Sequence, residues 1–334
     1  MDARESELGL GVGPRTGLLP VSVALADYDR TRPIIDGRVK PEGIKLSVNA
    51  KWIAEFCERP VYEEYDAAEM SMSWYMAARD RGEPVIGLPV FPLRMPVFAY
   101  VLCRKDASFS HPRDLIGKRV AVGRYRYTVN LWLRGIFDEH YGLSPQAVQW
   151  VTNGAEEAGY VIPPGINVEV REGTSPERLL AEGQVDAVLL ARLPDAYLNG
   201  ETNFRRLFPD ARAEMRAYAQ KTGIVPITHL VVMSEALYRR EPWVAQRLTG
   251  AFHEAQRQCD AFYTASSKHL SFPEAVFFLE EQRATYGESP WSHGLTAGNR
   301  RILETFIRYA HDQGYISRRL AVDDVFAANT LSMM

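Results

Sequence analysis

The sequence predicts an α/β chain of two doubly wound βα domains, with an interdomain cleft and a helical C-terminal section. Three observations lead there. Short apolar runs bounded by charge, glycine or proline, at residues 21–26, 85–92, 119–122 and 185–191, alternate with helical stretches as far as Val232. From Pro242 onward the pattern is almost wholly helical. At 334 residues the chain also exceeds what one hydrophobic core usually fills, so two domains of roughly 100–200 residues each are expected.

Taken in order, residues 1–20 open with Asp2, Glu5 and Glu7 and carry a glycine-rich section, which predicts a flexible arm and no secretory signal. The run at 21–26 is a buried strand with polar side chains gathered past its carboxyl end. Residues 48–59 are mixed, a helix is expected near Pro60, and 65–73 turn into a short strand. Ser71 or Ser73 can face a cleft or equally cap the helix expected over 74–81. Strands follow at 85–92 and 97–104. From Asp106 a compact βαβ pattern runs through a strand ending at Gly123 and a helix over 128–141 stopped by Gly142. Further strands are expected at 150–152, 168–170, 185–191 and 224–232, with helices at 212–221, 243–264, 273–286 and 299–313. The expected division is an arm at 1–20, a first domain of 21–100 plus 224–334, and a second of 101–223. Two βα domains crossed twice, near Ala99 and Gly223, resemble the type II periplasmic-binding-protein fold, whose ligand site is the cleft and whose domains close by hinge motion.

Composition excludes several classes. Hydrophobic residues at 46% and charged residues at 24% are ordinary globular values, and a net charge of −3 leaves no electrostatic footprint for nucleic acid. No apolar run approaches the ~18 residues needed to cross a bilayer. Cys57, Cys103 and Cys259 are odd in number and widely separated, so neither a disulfide framework nor a zinc pattern is suggested, and the cytoplasm is the expected compartment. No phosphate loop, dinucleotide fingerprint, nucleophile elbow or metal-spaced histidine pair occurs, so no cofactor and no metal are expected.

The candidate site residues lie at expected strand ends, where open α/β sheets bind ligands. They are Asp27, Arg30 and Arg32 after the first strand, Glu69 and Ser71 after the second, Arg94 after the next, and Arg192 near 191–194. The turn Arg124-Tyr125-Arg126-Tyr127-Thr128 precedes a helix amino terminus, where free N–H groups favour a carboxylate or phosphate; a solvated turn is the competing reading. Of the seven histidines, His229 is the candidate acid or base, with a hydrogen-bonded structural histidine the alternative. His293 is a weaker candidate, and His111, His140, His253, His269 and His311 lack chemical company.

Beyond these residue types, the motifs Asp27-Tyr28-Asp29-Arg30-Thr31, Asp36-Gly37-Arg38-Val39-Lys40-Pro41-Glu42-Gly43-Ile44, Pro89-Val90-Phe91-Pro92 with Arg94, Trp150-Val151-Thr152, Arg205-Arg206-Leu207-Phe208-Pro209-Asp210 and Thr222-Gly223-Ile224 with Pro226-Ile227 and His229 resemble the 4,5-dihydroxyphthalate decarboxylases. The resemblance covers nearly the whole chain after residue 20. It implies a carboxy-lyase acting without cofactor on a hydroxylated aromatic carboxylic acid. In that reading His229 protonates the ring carbon and arginines hold the carboxylates, with Asp27 and Arg94 also catalytic. Arg30, Arg32, Glu69, Ser71, Phe98, Arg124, Tyr125, Arg126, Thr128 and Arg192 would bind substrate. Two departures from the family, Val97-Phe98-Ala99 in place of an Arg-His-Ser run and Arg124-Tyr125-Arg126-Tyr127 in place of a Glu-Tyr-Gln-Met-like turn, predict an altered substrate. The expected partner is a small aromatic carboxylate, with no nucleic acid and no membrane; a homo-oligomer is compatible with the sequence. The alternatives are a cytoplasmic small-carboxylate-binding protein and another lyase resembling the chorismate dehydratases or dihydroxynaphthoate synthases.

Overall fold

Alternation of Val21, Val23 and Leu25 with Ser22 and Ala24 gives β1 (Leu19–Leu25) two buried faces, each committed to a different core cluster. The computed structural model describes residues 17–52, 60–156, 160–265, 270–287 and 290–333. Residues 1–16 of the expected arm, together with Cys57 and His269, lie outside the described residues. Pro20, placed at the arm's end by the sequence reading, belongs to β1, which begins at Leu19 with its N–H donated to Gly43.

The first sheet combines β1 with β2 (Ile44–Ala50), β3 (Ala67–Ser71), β4 (Val85–Arg94) and the distant β11 (Ile227–Ser234), in the order β2-β1-β3-β11-β4. The pairings of β1 with β2 and β3 are parallel, and β11 runs antiparallel to both neighbours. The second sheet holds β5 (Val101–Arg104), β6 (Arg119–Val122), β7 (Gln149–Thr152), β8 (Asn167–Val170), β9 (Ala187–Leu189) and β10 (Phe204–Arg206), in the order β10-β5-β9-β6-β7-β8. Here β5 is antiparallel to both neighbours. Each sheet's antiparallel strand is thus the one that receives the chain from the other sheet.

Short helices α1 (Arg32–Ile35), α4 (Pro176–Ala181) and α5 (Asp195–Leu198) fill turns between strands, and α7 (Glu235–Arg240) links β11 to the C-terminal helices. The longer helices are α2 (Met72–Asp80), α3 (Thr128–Tyr141), α6 (Ala211–Thr222), α8 (Trp243–Ala265), α9 (Ala275–Tyr286) and α10 (Ala297–Asp312). Among the described residues no helix is long and apolar enough to cross a membrane. As expected, α3 ends at Gly142, whose φ of 66° is the left-handed cap that only glycine takes without strain.

Two expected strands are shorter than the apolar pattern suggests, and proline explains both. The segment expected as a strand from residue 97 opens with a 3-10 turn, Val97–Tyr100, after Pro96. The strand expected from residue 224 starts at Ile227, because Pro226 has no N–H to donate to a ladder. Pro226 instead accepts a hydrogen bond from Met95 N at 3.0 Å, tying the two crossing segments together.

The two sheets are joined by more than these crossings. One core cluster runs from Ala24 and Ala68 in the first sheet to Val120 and Leu189 in the second by way of Trp132, Phe306 and Tyr309. Gly135 of α3 permits this, since a Cβ there would lie 2.4 Å from the Tyr309 ring on α10. Polar bonds reinforce the contact. Trp132 Nε1 donates to Ile227 O at 2.8 Å, Tyr315 OH to Tyr125 O at 2.6 Å, and Arg134 to Gln313 Oε1 at 2.9 Å. Thr128 Oγ1, at the head of α3, lies 2.7 Å from Ser71 Oγ, donates to Ser73 Oγ at 2.9 Å and accepts from Ser73 N at 2.9 Å. A Thr128→Val variant keeps the shape and strands these buried partners, which predicts a loss of about 1–3 kcal/mol in denaturant unfolding. A stability unchanged within error would show that Thr128 does not join the sheets.

Candidate active site

The carboxyl ends of β1, β2 and β4 open onto a cavity of about 740 Å³. Its first wall comprises Ala26, Asp27 and Tyr28 after β1, Ala50, Lys51 and Trp52 at the end of β2, and Leu93, Arg94 and Met95 at the end of β4; Tyr100, Ala191, Arg192, Leu193 and Leu198 form the opposite wall. Both sheets therefore contribute. Lys51, Arg94 and Arg192 supply positive charge, and Tyr28, Trp52 and Tyr100 supply ring surface.

Between the ends of β1 and β4 lies a buried acid–imidazole pair. Glu69 on β3 is fully buried, and His229 on β11 sits directly opposite Ser71 in one ladder and Leu93 in the other. His229 Nδ1 lies 2.8 Å from Glu69 Oε1. The same oxygen accepts from Tyr28 OH at 3.0 Å, and Oε2 accepts from Ala26 N at 3.2 Å. The imidazole keeps 11% of its side-chain surface exposed, and among the described residues Nε2 meets no hydrogen-bonding group. Neither Glu69 nor His229 is among the residues that line the cavity; the pair abuts its wall through Tyr28 and Leu93, and with Nδ1 against the carboxylate Nε2 is the ring nitrogen left over.

Arg94 is a different kind of group. Its guanidinium is buried and donates to Ser292 O at 2.9 Å, Asn299 Oδ1 at 2.7 Å and Val225 O at 3.4 Å, with no carboxylate among its partners in the described residues. Burial, with the positive Arg30 nearby, lowers its pKa to about 9. A buried cation balanced only by carbonyl dipoles favours an anion in the adjoining cavity.

The other expected site residues divide sharply. Asp27 and Arg192 line the cavity, but Asp27 is held by Arg32 through two bonds of 2.5 Å, and Arg192 pairs with Asp195 at 2.6 Å. Arg32 is therefore a rim residue that restrains Asp27. Arg30 lies behind the wall, donating to Pro92 O, with its guanidinium 4.2 Å from the Tyr28 ring centroid and 4.1 Å from that of Trp291. Ser71 and Thr128 bond to each other across the sheets rather than lining the cavity. Phe98 is a core residue, enclosed by Phe137, Tyr141, Phe208 and Tyr218, since the 3-10 turn carries it inward.

The turn at residues 124–128 also lies away from the cavity. Tyr125 packs against Trp150 and under the Arg134 guanidinium, 3.7 Å from its ring centroid, and its N–H donates to Glu156. Arg126 is buried 4.1 Å from the Trp74 ring centroid, and Arg124 is half-buried beside Gly154. Thr128 pulls this turn against α2, and Arg126, over Trp74, serves the join between sheets. Sequence reasoning missed Tyr28, Lys51 and Trp52. Tyr28 stands inside the quoted opening motif, and Lys51 and Trp52 follow a strand end just as Asp27 does, but 48–59 had no clear strand pattern.

Among the described residues no group of three or more His, Cys, Asp or Glu side chains could hold a metal ion. His293 is structural. Its Nδ1 accepts from Phe91 N at 3.1 Å, and its ring lies 5.6 Å from that of His253, which the sequence reading left without company. Burial, with His253, Arg94 and Arg30 nearby, holds the His293 pKa well below the ordinary value of 6.5. The unfolded chain then binds a proton that the folded one refuses, so stability is present above about pH 6.5 and falls as pH drops below it. Thermal melts of His293→Gln, which retains an acceptor without the titration, should show a flatter acid limb than the wild type between pH 7 and 5; parallel limbs would refute this.

No family model matches the chain. It is 30% identical over 318 residues to a 4,5-dihydroxyphthalate decarboxylase of Comamonas testosteroni, covering 92% of this chain and 96% of that protein. A second decarboxylase of that name, from Pseudomonas putida, is 32% identical over 58% of this chain and 78% of its own. Among solved structures, the sulfonate-binding protein SsuA of Methylobacillus flagellatus KT superposes with a TM-score of 0.58 at 16% identity, over 92% of this chain and 91% of that one. The desulfurization enzyme DSZB superposes with a TM-score of 0.51, also at 16% identity, over 94% and 99%. These likenesses establish the type II periplasmic-binding-protein fold, and with the two decarboxylases they show that this chain belongs to the 4,5-dihydroxyphthalate decarboxylase family.

Proposed function

We propose that the protein is a carboxy-lyase that removes CO₂ from a hydroxylated aromatic carboxylic acid. The observation that carries this reading is the buried Glu69–His229 pair beside a cavity whose wall contains the anion-seeking Arg94. The names of the two relatives support the reaction type.

In the proposed reaction the substrate carboxylate enters the positive field of Arg94 and Lys51, and the ring lies against Tyr28, Trp52 and Tyr100. A hydroxyl para to the carboxylate releases electron density toward the carboxyl-bearing carbon. Protonated His229 delivers its Nε2 proton to that carbon. The C–C bond then breaks, its electron pair returns to the ring, CO₂ leaves, and His229 regains a proton from solvent. The chemistry asks for positioning, electrostatics and one proton transfer.

The expected alteration of substrate rests on two departures from the family pattern. Phe98 and the Arg124–Tyr127 turn do not line this cavity, so 4,5-dihydroxyphthalate belongs in the substrate panel beside other hydroxylated acids. The test is CO₂ release from a panel comprising 4,5-dihydroxyphthalate, para-hydroxylated benzoic acids and benzoate. Turnover of hydroxylated members and none of benzoate is expected. Tight binding across the panel with no CO₂ would instead identify a carboxylate-binding protein. Arg124→Ala, remote from the cavity, should change kcat/KM less than threefold.

A further inference from the structure

We infer that Tyr28 is a positioning residue for His229, acting through Glu69. This rests on the reading of His229 as the proton donor, but its structural half can be tested without any substrate. Glu69 Oε1 receives Tyr28 OH at 3.0 Å and faces His229 Nδ1 at 2.8 Å, so two groups from different elements converge on one oxygen. The other oxygen is held by Ala26 N. A carboxylate gripped at both oxygens cannot rotate about its terminal bond, and the imidazole bonded to it inherits that fixed plane.

The turn that presents Tyr28 is itself braced. Tyr28 N donates to Thr31 Oγ1 at 2.9 Å, Thr31 Oγ1 donates to Ala26 O at 2.7 Å, and Tyr28 O accepts from Thr31 N and Arg32 N at 3.1 and 2.8 Å. Behind the ring, the Arg30 guanidinium is held between Tyr28 and Trp291. The phenol is thus delivered to Glu69 by a segment with little freedom, while its ring also lines the cavity. Hydroxyl and ring have separable duties: the hydroxyl orients the acid–imidazole pair, and the ring forms ligand-facing wall.

Tyr28→Phe removes the first duty and Tyr28→Leu both. Proton NMR of ¹⁵N-histidine-labelled protein reports the His229 Nδ1–H directly, with Glu69→Gln as an assignment control. In Tyr28→Phe that proton should exchange with solvent at least tenfold faster than in wild type, and the ring ¹⁵N shifts should move. If the reading of the reaction holds, kcat for the best panel substrate falls at least tenfold while KM changes less than threefold, and Tyr28→Leu additionally raises KM. Unchanged exchange and shifts in Tyr28→Phe would overturn the positioning role whether or not the wild type releases CO₂. Absence of CO₂ from the wild type would count against the reaction alone and leave the NMR result to decide this inference.

Discussion

The Glu69 carboxylate is fully buried, and the arrangement of the site depends on how its charge is met. Three groups from two separate parts of the chain, the Ala26 amide and Tyr28 phenol just after β1 and the His229 ring on β11, converge on its two oxygens. Burying such a charge without partners is costly, so the ends of β1 and β11 and the turn after β1 are drawn to positions that satisfy it. The same requirement selects the ring nitrogen that remains for chemistry.

A second constraint acts on the architecture as a whole. Binding proteins of this fold class suggest two bodies rotating about crossing strands, and the sequence invited that picture. Here α3 packs against α2, α10 and β11 in a core shared by both sheets, and Thr128 bonds to Ser71 and Ser73. Rotation of the sheets as whole bodies would have to break buried hydrogen bonds worth about 1 kcal/mol each and open apolar contacts around Trp132.

Much of the fold was legible in the sequence because buried strands and amphipathic helices write their period directly: α3, α6, α8 and α10 lie close to their expected spans. Pro96 and Pro226 shortened two strands for a reason visible in the residues themselves. The site was legible only in part. In the sequence Arg94 stands out as a strand-end residue, Glu69 as one near an expected strand end and His229 as one at the expected crossing between domains, but such positions do not say which way a side chain turns. Phe98 turned into an aromatic core, and Arg126 and Tyr125 turned toward Trp74 and Arg134, through contacts made by residues distant in sequence. Tyr28 was hidden for the converse reason. Its role comes from sharing an oxygen with a histidine some two hundred positions away, a fact that local sequence cannot carry.

The central claim is that the buried Glu69 charge organises His229 for proton transfer and does not itself bind substrate. Steady-state kinetics and calorimetric substrate binding of Glu69→Gln test it most directly, because the change keeps side-chain volume and removes only the charge. The account predicts a folded protein whose kcat falls about a hundredfold or more while substrate affinity stays within threefold. A kcat within a few-fold of wild type, or a loss confined to binding, would contradict it.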